Sequence, residues 1–305
     1  MRWQAVFGFI FMLLVIALLV FYWFFPFSTN VFEQTGPGHS NFSIEGVNAS
    51  IQFYENMRYP SEKISYRIQE CTLQKQDEME RAFELLESKT ILNFYPVNSN
   101  EEISVTCDSH SKIEGGMFIA GEGGPVNITR TDKFSVIFSG KILLIRESEC
   151  EKPNVALHEL LHALGFAHSS NPDNVMYSIS KCSQTIGEDI PPVINKLYSY
   201  STYSDLSFEN VSAIMHGRYL DVNMSLRNNG LKESGAAKII VSSDGSFIKE
   251  VDLKGLKVGY GITITLSNIF VKKINVDELV FFIDTSFQEL EKENNKITLK
   301  IKEKN

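Results

Sequence analysis

Eleven residues near the middle of the chain, His158-Glu159-Leu160-Leu161-His162-Ala163-Leu164-Gly165-Phe166-Ala167-His168, constrain it more than any other stretch. Read as a helix at about 100° per residue, they place Leu157, Leu160, Leu161 and Leu164 within roughly 100° of arc, a stripe that faces a core. His158 and His162 lie about 40° apart on the next face round. Glu159 is displaced from them but points into the same cleft. Gly165 ends the helix, because glycine takes the left-handed conformation without a Cβ penalty, and the turn returns His168 toward the other two histidines. Three imidazoles so spaced suit one zinc ion, and three protein ligands leave a fourth position for water, as catalytic rather than structural sites do. Glu159 is then the expected general base for a metal-assisted hydrolysis.

At 305 residues the chain allows about two domains. A formal net charge of −8 argues against a nucleic-acid partner, which needs a basic patch. The four cysteines, Cys71, Cys107, Cys150 and Cys182, form no C-x-x-C pair. They allow three connectivities. Cys71 with Cys107 and Cys150 with Cys182 is the expected one, since each pair brackets a local unit; four buried free thiols are the alternative.

Residues 5–25 are apolar and uncharged. About 20 such residues span a bilayer as a helix. The exit Tyr22-Trp23-Phe24-Phe25-Pro26 is bulky and aromatic, unlike the small-residue exit of a cleaved signal peptide. Residues 1–26 are therefore expected to be a retained transmembrane signal-anchor. Arg2 precedes it and no Lys or Arg follows until Arg58, which predicts a cytoplasmic N-terminus and everything else outside the cell. That topology favours disulfides. Residues 27–46 are polar and Gly/Pro-rich, and are expected to be a linker. Sequons at Asn41, Asn48, Asn127, Asn210 and Asn223 permit glycosylation.

A first domain is expected over 47–204. Strands are predicted at 63–68, 92–97, 103–107, 134–138 and 141–146, helices at 78–88 and from about 153, and a Gly-rich loop over 111–125. The order is that of an α+β domain. After about residue 205 the pattern changes. Strands at 219–226, 238–242, 247–252, 261–266, 278–283 and 297–301, punctuated by Asn228-Asn229-Gly230 and Asp244-Gly245, predict an all-β sandwich over 205–305.

The extended histidine pattern, followed by Ser169-Ser170-Asn171-Pro172-Asp173-Asn174-Val175-Met176-Tyr177, resembles the metzincins and within them the matrixin-like branch. The resemblance implies a twisted-sheet zinc metalloendopeptidase. His158, His162 and His168 would be its ligands, Glu159 its base, Gly165 the turn glycine and Met176 the hydrophobic floor of a Met-turn. Residues 190–199 match the family's last helix. An extended substrate would lie antiparallel to an edge strand between Gly116 and Phe138. Astacin-like relatives place a metal-touching tyrosine two residues after the methionine. Tyr177 follows it directly and is not expected to be a ligand. A second structural zinc is not expected, since only His110 is available upstream. No switch cysteine lies between anchor and domain, so latency by that route is not expected. Calcium at the 111–125 loop is a weak further expectation.

Residues 206–305 resemble the CARDB family in the strand before Asn228-Asn229-Gly230, in Gly255-Leu256-Lys257-Val258-Gly259, and in Glu289-Leu290-Glu291-Lys292-Glu293-Asn294-Asn295 after Ile283-Asp284. That resemblance implies an Ig-like sandwich of seven strands with a surface partner. The function expected is a membrane-anchored extracellular zinc metalloendopeptidase acting on protein or peptide. The alternative is a surface adhesion protein in which proteolysis is a narrow processing role or absent. An intramembrane protease is excluded, because the segments flanking the histidine helix are too short and polar to span.

Overall fold

A computed structural model describes residues 2–24, 29–34, 44, 51–110, 112–114, 117–273 and 275–301. The chain forms two compact units. One comprises residues 41–204 and 229–233, the other residues 1–40, 205–228 and 234–305. The first elements, helix α1 (Arg2–Phe24) and strand β1 (Thr29–Gln34), belong to the second of these.

The unit carrying the histidines contains β2 (Met57–Arg58), β3 (Lys63–Gln69), α2 (Leu73–Glu87), β4 (Asn93–Pro96), β5 (Ile103–Cys107), β6 (Lys112–Glu114), β7 (Met117–Ile119), β8 (Gly121–Arg130), β9 (Ser135–Leu144), α3 (Asn154–Ala163) and α4 (Ile190–Tyr198). Its sheet runs β2-β9-β5-β3-β4, all parallel, and β8 pairs antiparallel with β9. Among the described residues β8 has no strand on its other side, so it is the sheet's edge. Helix α2 begins five residues earlier than its apolar spacing suggests, because the Thr72 hydroxyl accepts from the Lys75 amide and caps the first turn. Its buried Phe83 lies between Tyr66 and Phe94, at centroid distances of 4.1 and 4.8 Å.

Two expectations change here. The runs 134–138 and 141–146 are one strand, β9, which passes through Gly140 where a Cβ would come within 2.5 Å of the Tyr59 hydroxyl. Most of the supposed Gly-rich loop 111–125 is strand. Residues 121–125 open the edge strand β8, while β6 and β7 form a small ribbon. Residues 111, 115 and 116 lie outside the described residues. Disulfides close Cys71–Cys107 and Cys150–Cys182.

The other unit holds β10 (Leu206–His216), β11 (Tyr219–Asn228), β12 (Ala237–Ser243), β13 (Ser246–Leu253), β14 (Gly261–Phe270), β15 (Glu278–Thr285) and β16 (Lys296–Ile301). Strands neighbour one another in the order β13-β12-β15-β16-β1-β10-β11-β14. Alternate residues such as Leu220, Val222, Met224 and Leu226 point into one apolar core with Ile239, Val241, Phe281 and Leu299. Asp244 and Gly245 both take positive φ, 41° and 77°, as a two-residue hairpin turn requires. Strand β10 was not read from the sequence, since its bulge between Phe208 and Asn210 breaks the alternation.

Within the expected linker 27–46, residues 29–34 form β1, with Phe32 buried in the β core. Residues 27–28, 35–43 and 45–46 lie outside the described residues, as do the sequons Asn41 and Asn48. The side chains of α1 are described at 3, 4 and 6–21. Among the described residues no helix is long and apolar enough to cross a membrane.

Candidate active site

Helix α3 buries Leu157, Leu160, Leu161 and Leu164, each at most 2 % exposed, so the apolar stripe holds the helix rigid beneath the site. At its start the Asn154 side chain donates to the carbonyls of Lys181 and Gln184, tying the helix to the loop that follows Met176. Its end is a Schellman turn. The Gly165 amide donates to the His162 carbonyl and the Phe166 amide to the Leu161 carbonyl. Gly165 sits at φ +96°, and a Cβ there would also lie 2.6 Å from the Met57 side chain. The returning segment is pinned by residues 51–53. The Phe53 amide donates to the Gly165 carbonyl and the Ala167 amide to the Ile51 carbonyl.

These constraints bring the three histidines together. The Nε2 atom of His168 is 3.3 Å from that of His158 and 3.1 Å from that of His162. The Nδ1 atoms face backbone carbonyls: His158 donates to Val175 at 2.6 Å and His162 to Phe166 at 2.8 Å. A carbonyl can only accept, so each Nδ1 carries the proton and each facing Nε2 presents a lone pair. A single cation between the three rings satisfies these lone pairs together. Tetrahedral zinc with nitrogen ligands at about 2.05 Å sets its ligands about 3.3 Å apart, so the donor set fits that ion. Among the described residues this is the one group of three or more His, Cys, Asp or Glu side chains close enough to share a metal. The 111–125 segment offers no such group for calcium among its described residues.

Burial, with His158 and His168 close by, holds His162 down to about 4, and burial likewise lowers His158. Glu159 follows His158 in the helix and is 6 % exposed. Burial, helped by the nearby Glu122, pushes its carboxyl up to about 8 in the metal-free protein. Strand β8 presses directly on it. A Cβ on Gly121 would lie 2.7 Å from the Glu159 Cγ, and one on Gly123 would lie 2.3 Å from the Glu159 carbonyl oxygen.

Met176 is buried, with its amide held by the Asn174 side chain and its carbonyl by the Ser169 amide. That turn presents the Val175 carbonyl to His158. No sequence motif marks Phe53, whose ring stacks on His162 at 5.7 Å, or the contacts made by Gly121, Gly123 and Val175. The glycines are a legible signal in retrospect: close backbone approach is a reason for glycine in a strand. Phe53 left no motif.

Residues 52–231 match the family model described as Astacin (Peptidase family M12A), more than half of the chain. The chain belongs to the astacin family. It is thus a metzincin with a metallopeptidase domain, and the matrixin-like assignment is corrected. That assignment rested on Ser169–Tyr177, nine residues after a histidine pattern that metzincin branches share, whereas the family match draws on the whole unit. This astacin-family chain has Ser178 two residues after Met176, where the tyrosine of astacin-like relatives would stand. Residues 204–299 match the CARDB family. No curated protein matches the chain. Among solved structures, the CARDB domain of the PF1109 protein from Pyrococcus furiosus, crystallised in complex with di-metal ions, is similar at 14% identity, covering 32% of this chain and 88% of that one with a TM-score of 0.27.

Proposed function

We propose that this astacin-family chain is a zinc-dependent endopeptidase, with His158, His162 and His168 as the metal ligands and Glu159 as the general base. The observation that carries the reading is the approach of the His168 Nε2 to those of His158 and His162, at 3.3 and 3.1 Å, with the protons of His158 and His162 held on their far nitrogens. A zinc ion held there would polarise the scissile carbonyl and acidify a water. Glu159 takes the proton of the attacking water and returns it to the leaving nitrogen. Its burial suits this task, since a carboxyl raised toward neutrality both accepts and releases protons near pH 7. Beside a positive charge it ionises more readily than in the metal-free protein. Met176 and Gly165 act as positioning residues.

The open edge of β8 beside Glu159 supports binding of an extended peptide antiparallel to it. Residues after the scissile bond then run toward Gly121, and residues before it run toward Arg130, past a cavity lined by Phe53, Tyr54 and Arg130.

We also retain residues 1–26 as a membrane anchor, with the protease and β domains (47–204 and 205–305) extracellular. Its support is the uncharged run 5–25, all but the last residue of which lies within α1. A second reading, surface adhesion with proteolysis narrow or absent, draws on the CARDB match and its possible surface partner. Metal analysis of the purified chain, with cleavage of an unselective protein such as casein before and after chelation, separates the two. One zinc per chain and chelator-sensitive cleavage support the peptidase. A chain without bound zinc, or full activity in Glu159→Ala, overturns it.

A further inference from the structure

Strand β1 is separated from its partners by the whole protease unit, yet it is built into the β unit on both sides. Thr29, Asn30, Val31 and Phe32 pair antiparallel with His216, Met215, Ile214 and Ala213 of β10. Phe32, Glu33 and Gln34 pair antiparallel with Ile301, Lys300 and Leu299 of β16. Phe32 is paired on both flanks and is 2 % exposed, inside the apolar core. Glu33 stands opposite Lys300 and the Thr29 hydroxyl lies 3.2 Å from His216 Nδ1, so polar groups also mark the register. Without β1 the strand order divides into β13-β12-β15-β16 and β10-β11-β14, and the facing edges of β10 and β16 lose their partner. Such edges are aggregation templates when left open.

We infer that Thr29–Gln34 is the first strand of a β domain into which the protease unit is inserted, and that it clips the N-terminal segment to this domain independently of the covalent chain between them. The occupant of the groove between β10 and β16 is the chain's own strand. A break between residues 35 and 50 therefore leaves residues 1–34 attached, so cutting the connecting segment does not release the enzyme from whatever holds its N-terminus. Backbone hydrogen bonds on two edges and one buried aromatic side chain give a six-residue strand this hold, as in other strand-addition complexes. The inference does not depend on the proteolytic reading, since it concerns the β unit alone.

The test uses the full chain in detergent micelles, with a site-specific protease sequence flanked by glycine-serine spacers inserted after Gly38. After complete cutting, the N-terminal fragment is expected to co-elute with the remainder at one to one, and to separate only in denaturant. The added substitution Phe32→Asp is expected to release it. Separation of the unsubstituted fragment under native conditions overturns the inference. So does exchange of fragments between two differently tagged copies mixed before cutting, which would assign the strand to a second molecule. Amide hydrogen exchange on the uncut chain gives an independent reading. Peptides covering 29–34 should be protected as strongly as those covering 213–216 and 299–301, and exchange at random-coil rates would overturn the clip.

Discussion

Gly123 of β8 and Glu159 of α3 are packed backbone to backbone. A single methyl group on Gly123 would meet the Glu159 carbonyl oxygen at 2.3 Å and its Cα at 2.8 Å. The edge strand is thereby held against the helix that carries the proposed base. Gly124, the next residue, has nothing within 4 Å of its would-be Cβ. Gly123→Ala should destabilise the protein by about 2 kcal/mol and reduce cleavage at least tenfold, because strand or helix must shift. Gly124→Ala should leave both nearly unchanged. Thermal melts and casein cleavage of the two variants check this, and equal behaviour would refute the contact.

Gly165 has two reasons to be glycine: φ +96° and the Met57 side chain 2.6 Å from its would-be Cβ. Gly165→Ala should disturb the turn that returns His168. Zinc affinity, measured by competition with a chromogenic chelator, should fall by tenfold or more. Unaltered affinity would mean that His168 does not depend on this turn.

Arg58 is fully buried. Its guanidinium donates to the carbonyls of Tyr59, Pro60, Leu197 and Tyr200, and lies over the Tyr198 ring at 4.4 Å. It joins the β2 region to the C-terminal end of α4, where carbonyls lack helical partners. Arg58→Met should cost about 3 kcal/mol or more in urea unfolding, since several buried acceptors lose their donor. Arg58→Lys should recover only part, lacking the planar fork.

The metal-free protein should show opposite pH dependences from two neighbours. His162 is held down to about 4, so the unfolded chain, with an ordinary value near 6.5, takes up a proton first as pH falls. Stability associated with it is present above about 6.5 and is lost as pH falls toward 4. Glu159 is pushed up to about 8, so the folded chain retains a proton that the unfolded chain releases above about 4.5. That contribution is lost as pH rises from about 4.5 to 8. In chelator, Glu159→Gln should therefore melt higher than wild type at pH 8, with a gap that shrinks toward pH 4.5. A gap that fails to shrink would mean that protonation of Glu159 is not its cause.

Tyr54 lies under the Arg130 guanidinium at 3.7 Å, at the far end of the edge strand from Glu159. If peptides bind antiparallel to β8, Tyr54→Ala should raise KM for substrates extended before the scissile bond and leave short ones unaffected. Cleavage of a peptide series of increasing N-terminal length measures this.

The histidine pattern could be read from the sequence because it is local. Helical spacing and one glycine place three histidines within eleven residues, and no distant part of the chain is needed to recognise them. The β patterning after residue 205 was legible for the same reason: Leu220, Val222, Met224 and Leu226 alternate along a single strand. The edge strand was not legible. Gly121, Gly123, Gly124 and Pro125 disfavour a strand on propensity, and only the packing of α3 against β8 explains why Gly121 and Gly123 stand there. Phe53 and the Val175 carbonyl reach the histidines through contacts that no local pattern encodes.

The amino-acid order by itself made the proposed site legible, because the three histidines, Glu159 and the turn glycine fall within eleven consecutive residues at the end of one helix. Tertiary structure alone decided which strand borders that site and where residues 29–34 belong. A strand of six residues has too little apolar surface to declare itself in sequence. Its place is set by the edges of β10 and β16, far along the chain, which become available only when the β domain has folded.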